Sequence, residues 1–250
     1  MSTWTILGYL EYELGEIFEA IARFTRLREA SRSFGQAQVE AAALGALGRL
    51  HSMQGAHEQA HAELTESITI YNQLGYRFGV AFSLTWLGQD RVAAGALAEG
   101  IEILERSRAI ELTGSEESNA YQTVRELGWA LHRNGDPGGR RLLEEALHFW
   151  RNVQPDPPCE NDALVYLGRV AEDEGEPAEA LKVLDEAIRQ ARTYRRRVAL
   201  AYALDSVARC HVLLGDPDAA REPLREAVEL YRKMGLAELA DAEARLIALE

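Results

Sequence analysis

Trp4-Thr5-Ile6-Leu7-Gly8, followed by Gly15, Ala20 and Phe24, decides the fold because it recurs. Leu-Gly appears at Leu7-Gly8, Leu47-Gly48, Leu87-Gly88, Leu127-Gly128 and Leu167-Gly168, and a sixth copy reads Val207-Ala208. Each copy starts 40 residues after the last, and seven residues past each small residue stands a glycine: Gly15, Gly55, Gly95, Gly135, Gly175 and Gly215. A fixed period of this size predicts stacked repeats rather than one globular core.

Each unit reads as two helices. In the first, Trp4, Leu7 and Gly8 share one face of a helix over about Thr3 to Leu14, as i, i+3, i+4 spacing requires. Gly15 stops it, and a second helix runs from about Ile17 to Arg32 with Ala20, Phe24 and Leu27 inward. Later units repeat the pattern, as in Leu44, Leu47, Gly48, Ala60 and Leu64. The small column Gly8, Gly48, Gly88, Gly128, Gly168, Ala208 marks where the two helices of a pair cross. In the fourth unit Gly139, Leu143 and Ala146 come one residue early, which implies a deletion in the turn restored before the fifth unit. Gln154-Pro155-Asp156-Pro157-Pro158 is the strongest breaker, either a hinge or a stiff loop. The expected units are 1–35, 36–75, 76–115, 116–155, 156–195 and 196–235, all in one domain over 1–250. A capping helix over 237–250 follows, with Ala240, Ala244 and Ile247 apolar.

Composition narrows the function. Apolar residues make up 47% and charged residues 27% of the 250, ordinary for a folded protein. A net charge of −13 opposes direct binding to nucleic acid or anionic lipid. Cys159 and Cys210 lack a CxxC partner and read as reduced thiols. Neither a signal peptide nor a membrane-length apolar run is evident, so a cytoplasmic location is expected.

The landmarks Trp4, Leu7-Gly8, Gly15, Ala20 and Phe24 resemble the tetratricopeptide repeat, over essentially the whole chain. The 40-residue form, with endings such as Ile70-Tyr71-Asn72-Gln73-Leu74-Gly75, resembles repeats at the C-terminal end of bacterial, often actinobacterial, transcriptional activators and signal-transduction ATPases. The resemblance implies an all-α, right-handed superhelical solenoid of six antiparallel helix pairs plus the capping helix, with first helices lining a concave face. It also implies partner binding without catalysis or cofactor.

No Walker loop, HExxH or zinc-spaced Cys/His set is present, so no metal site is assigned. His57 and His61 read as part of an exposed polar face, His51 and His211 as half-buried structural residues, and Glu172-Asp173 as solvated charge. In the resembled fold the first-helix columns concentrate Arg49, Phe82, Trp86, Arg125, Trp129, Tyr166, Arg169, Tyr202 and Arg209. Arginine and aromatic side chains are the types that anchor protein and peptide partners. The competing reading is that Arg169 and Arg209 pair with Asp162 and Asp205 while the aromatics pack between repeats. The expected function is a non-catalytic protein- or peptide-binding scaffold, or the sensory part of a bacterial regulator. A sensor of a small anionic metabolite and an enzyme accessory subunit stay open. Trp4, Ile6 and Leu10 are expected to leave apolar surface at the N-terminal end, which points to end-to-end self-association there or to a missing preceding domain.

Overall fold

The computed structural model describes residues 3–111 and 117–250. Among these the chain forms thirteen α-helices, one π-helical turn and no strand. The helices are α1 (Thr3–Glu13), α2 (Ile17–Ser33), α3 (Ala37–Met53), α4 (His57–Gln73), α5 (Arg77–Ala93), α6 (Leu97–Glu111) and α7 (Glu117–Arg133). Then come α8 (Gly138–His148), α9 (Pro157–Asp173), α10 (Pro177–Thr193), α11 (Arg197–Leu213), α12 (Pro217–Met234) and α13 (Leu239–Ala248). Up to α12, odd-numbered helices are the first of a pair and even-numbered ones the second, and α13 follows the last pair. The six glycines that close the first helices, Gly15 to Gly215, all have φ between 71° and 85°, where a side chain would be strained.

The chain gathers into two compact units. One holds Glu16–Leu142 with the chain up to Tyr12, and the other holds Leu143–Glu250 with Glu13–Gly15. In the first unit α2 packs on α3, α3 on α4, α4 on α5, α5 on α6 and α6 on α7. In the second unit α9 packs on α10, α10 on α11, α11 on α12 and α12 on α13. First helices also touch one another, α3 with α5, α5 with α7, and α9 with α11. These are the consecutive packed pairs of a tetratricopeptide-like array.

The repeated landmarks form the core. Ala20, Phe24, Ala60, Leu64, Leu104, Leu143, Ala180, Leu184, Ala220 and Leu224 are all buried. They bury against the small column: a Cβ on Gly48 would stand 2.5 Å from Leu64 Cγ, and one on Gly168 2.5 Å from Leu184 Cγ. Side chains of ordinary size there would force the paired helices apart.

The fourth repeat carries the inferred one-residue shift. Gly139 takes the structural place of Gly100. A Cβ on Gly100 would lie 2.9 Å from the Gly88 carbonyl, and one on Gly139 would lie 2.6 Å from the Gly128 carbonyl. Downstream, Phe149–Val153 forms a π-helical turn. A π turn takes up one residue more than an α turn, and α9 then begins 40 residues after α7. Part of the Pro-rich breaker belongs to α9 itself. Asp156 caps it by accepting from the Cys159 backbone N–H at 3.0 Å, and Pro157 opens its first turn.

The last helix corrects an expectation. Its stripe Ala240, Ala244 and Ile247 faces solvent, with Ile247 71% exposed, while Ala242 and the preceding Leu236 are buried. Polar contacts orient α13 this way. Arg245 reaches Asp205 at 2.7 Å, Arg232 reaches Glu243 at 2.7 Å, and Arg221 donates to the Leu249 carbonyl at 2.7 Å.

Candidate functional site

In the first unit three consecutive first helices bring one cation between two rings. The Arg49 guanidinium carbon on α3 lies 4.0 Å from the ring centre of Tyr12 on α1 and 3.8 Å from that of Trp86 on α5. Its Nη2 also donates to the Tyr12 hydroxyl. Each such stack contributes about 0.5–2 kcal/mol, more as water is excluded. A guanidinium covered on both faces donates to a partner only through its in-plane N–H groups. Phe82, one turn before Trp86 on α5, meets it edge-on at 5.6 Å and stacks on Phe78 at 6.3 Å. Arg49 and Phe82 are half-buried, so both offer surface; Trp86 is buried and supports them.

Farther along this unit, two expected anchors are enclosed. Trp129 on α7 is buried, its ring 5.8 Å from His132 and under the guanidinium of Arg133 at 5.6 Å. Arg125 is a correction. It is 3% exposed and donates to the equally buried Glu126 at 2.7 Å, so it braces α7 instead of presenting a surface cation.

In the second unit Tyr166 and Arg169 on α9 and Tyr202 and Arg209 on α11 are half-buried. Arg169 lies over the Tyr202 ring at 5.9 Å. Arg209 is held by acids: it reaches Asp205 at 2.7 Å and Glu172 through both Nε and, at 3.0 Å, Nη2. The pairing expected as a competing reading therefore holds for Arg209. Asp162 binds Arg196 at 2.7 Å. Burial pushes the Tyr202 phenol well above its ordinary range, helped by the neighbouring Glu238 carboxylate with which it hydrogen-bonds. Burial likewise raises Glu238, and nearby Asp205 adds to the effect.

Two sequence expectations about charge are overturned. Glu172 is buried and bound to Arg209, not solvated. His57 does not simply face water; its Nδ1 lies 2.7 Å from Oδ1 of the fully buried Asp90 on α5. His51 is half-buried as expected and pairs with Glu63 at 2.7 Å. Tyr12 and Glu172 fall in one of the columns expected to line the groove, whereas Glu238, beside Tyr202, lies outside those columns. A signal for the partners of Tyr12 and Glu172 existed: Arg49 follows Tyr12 by 37 residues, as Arg209 follows Glu172. That is one repeat less a helical turn, the offset at which neighbouring first helices meet.

These helix pairs, with their walls of first helices, define a helical-repeat scaffold. A family model for the tetratricopeptide repeat matches residues 1–73 and 160–233, more than half of the chain, and the chain belongs to that family. The regulatory protein AfsR of Streptomyces griseus is 25% identical over 245 residues, which is 97% of this chain and 24% of the relative. The chain thus spans about a quarter of that curated relative's length. Among solved structures, the Rap conjugation gene regulator of plasmid pLS20, in complex with the Phr* peptide, superposes with a TM-score of 0.70 at 17% identity, over 97% of this chain and 70% of that one. A signal-transduction ATPase with numerous domains from Pyrococcus horikoshii, bearing a tetratricopeptide repeat sensor, gives 0.62 at 16% identity, over 96% of this chain and 37% of that one. At these identities the two structures share the fold. No described helix is long and apolar enough to cross a membrane.

Proposed function

We propose that this chain is a protein- or peptide-binding sensor module of a bacterial regulator, acting in the cytoplasm without catalysis of its own. Residues 1–250 form one repeat array in this reading. The family is one of scaffolds, one relative is a regulatory protein, and one structural neighbour was solved with a peptide. The observation that carries the reading is the Arg49 guanidinium clamped between Tyr12 and Trp86. Such a cation is already oriented, so little rotamer entropy remains to be lost when a partner's carboxylate binds its edge. Phe82 beside it, and Tyr166 and Arg169 on the second unit's wall, are the further contact residues. Trp86, Trp129, Tyr202, Arg125 and Arg209 hold the walls in shape.

The test begins with a pull-down from the native cell, followed by titration of the captured partner. Arg49→Ala with Arg169→Ala should weaken binding by about 1–3 kcal/mol per lost anchor and leave helicity intact. Full affinity in that double variant, with loss of binding on substitution of exposed second-helix residues such as Glu58 or Glu222, would place the partner elsewhere.

A further inference from the structure

Arg49 differs from Arg125 and Arg209 in meeting no acid. Arg125 is bound to Glu126, and Arg209 to Glu172 and Asp205. Among the described residues no carboxylate pairs with Arg49, whose contacts are the Tyr12 hydroxyl and the rings of Tyr12 and Trp86. Arg49 is half-buried. A cation drawn partly out of water without a counter-ion gains most when an anion reaches its open edge.

A row of rings starts beside that edge. Trp86, Phe82 and Phe78 stand one turn apart on α5, with centroids 5.6 and 6.3 Å from one to the next. Tyr76 extends the row, 5.9 Å from Phe78. Phe82 and Phe78 are half-buried and Tyr76 is exposed, so beyond the covered Trp86 the row is open to a ligand. The row is peculiar to α5. In place of Phe82 and Trp86, α3 carries Ala42 and Ala46, and α7 carries Gln122 and Glu126. Since α3 and α7 both touch α5, the rings stand as a single column between small side chains and polar ones.

We infer that the row receives an acidic peptide in extended form, lying along α5, with a carboxylate on the edge of Arg49 and apolar side chains two and four residues away over Phe82 and Phe78. Alternate side chains of an extended strand point the same way, about 6.6 Å apart, close to the 5.6 and 6.3 Å steps between the rings. An amphipathic helix buries a stripe at least about 100° wide, more than one column of side chains, and α5 offers one column. This inference rests on the reading of Arg49 as a partner anchor and adds the chemistry and the axis of what it anchors.

The probes are two fluorescently labelled, end-blocked pentapeptides, Glu-Ser-Phe-Ser-Leu and its reverse, Leu-Ser-Phe-Ser-Glu, and the readout is anisotropy against the full chain. Saturable binding is expected in one of the two directions. Exchanging the peptide's Glu for Gln should weaken it at least about tenfold, as loss of a charge-assisted pair does, and Arg49→Gln in the protein should erase that difference. Phe78→Ser should weaken both the Glu and the Gln peptide. Independently of any variant's folding, Glu-Phe-Leu-Ser-Ser, the same residues in adjacent positions, should bind the unaltered protein about tenfold less tightly. No saturable binding in either direction, or equal binding by the Gln or the rearranged peptide, overturns the proposal. So does phenylacetate displacing the peptide at equal concentration, since the occupant is then a small organic acid. A captured partner that Arg49→Ala weakens while every pentapeptide fails overturns this proposal alone, and a partner indifferent to Arg49 overturns the anchor reading with it.

Discussion

His57 Nδ1 on α4 sits 2.7 Å from Oδ1 of Asp90 on α5, and Asp90 is completely buried. The same column holds Leu50, Ala130, Val170 and Cys210, all apolar or nearly so and all buried. A carboxylate in an apolar column persists only because its oxygens are taken, here by His57 and by Arg91 at 2.8 Å. His57→Ala should therefore destabilise the protein by about 1–3 kcal/mol, the cost of leaving a buried acceptor short of a donor. Asp90→Leu copies Leu50 and removes the need for that donor. In the Asp90→Leu background, His57→Ala should cost much less. Urea unfolding of the four proteins measures the coupling, and equal losses in both backgrounds would show that the pair is not a unit.

The crossings of paired helices differ in what a new methyl group meets. A Cβ on Gly88 would approach the Leu104 side chain, at 2.6 Å from Cγ, with the Gly100 carbonyl farther off at 3.0 Å. One on Gly139 would approach the His132 backbone nitrogen at 2.5 Å and the Gly128 carbonyl at 2.6 Å. Gly88→Ala should cost about 1–3 kcal/mol, as overpacking usually does, and Gly139→Ala more, since backbone cannot swing aside. Thermal unfolding ranks the two, and the reverse order would mean that the helices slide freely at the fourth crossing.

Arg125 and Glu126 are 3% and 2% exposed and bound to each other. Removing one member of a buried pair takes an opposite charge from the other, and breaking such a pair typically costs about 3–5 kcal/mol. Arg125→Ala should thus lower stability by about that amount. Arg125→Met with Glu126→Gln should recover much of the loss. Retained stability in Arg125→Ala would restore Arg125 as a surface residue.

Period and landmarks locate backbone better than they locate side chains. The expected second helix of the first unit, about Ile17 to Arg32, is observed as Ile17–Ser33, because a 40-residue repeat aligns every glycine stop and every crossing at once. The early landmark Gly139 was likewise readable, though not the π turn that compensates for it. A column assigns a residue to a face but not to a partner. It could not tell that Arg125 turns to its neighbour Glu126, or that Arg209 turns back to Glu172 while Arg49 lies flat between rings. The stripe on α13 faces outward for a related reason. Its outward direction is set by Arg245, Arg221 and Arg232 reaching neighbours far off in sequence or on another element. Arg195 shows the same limit in the backbone: it adopts φ 56° at the place where Gly35, Gly75 and Gly235 end their helices.

Glu238, between α12 and α13, gives the second unit a pH dependence with a definite sign. Burial raises its pKa above the ordinary value, with Asp205 adding to the rise and Tyr202 and Arg169 opposing it. The fold therefore holds the Glu238 proton more tightly than the unfolded chain does. Between the two pKa values the native state binds more protons, and stability falls as pH rises. The contribution is complete below the unfolded value, about 4.3, and is lost as pH climbs through the folded value. Glu238→Gln keeps an acceptor for the Tyr202 hydroxyl and removes the buried charge. The variant should melt higher than the parent at about pH 7, and the difference should shrink steadily toward about pH 4. Melting curves collected across that range, at constant ionic strength, test both halves. A variant that is less stable than the parent at neutral pH would mean that the ionised carboxylate, through Arg169, is what seats the last helix.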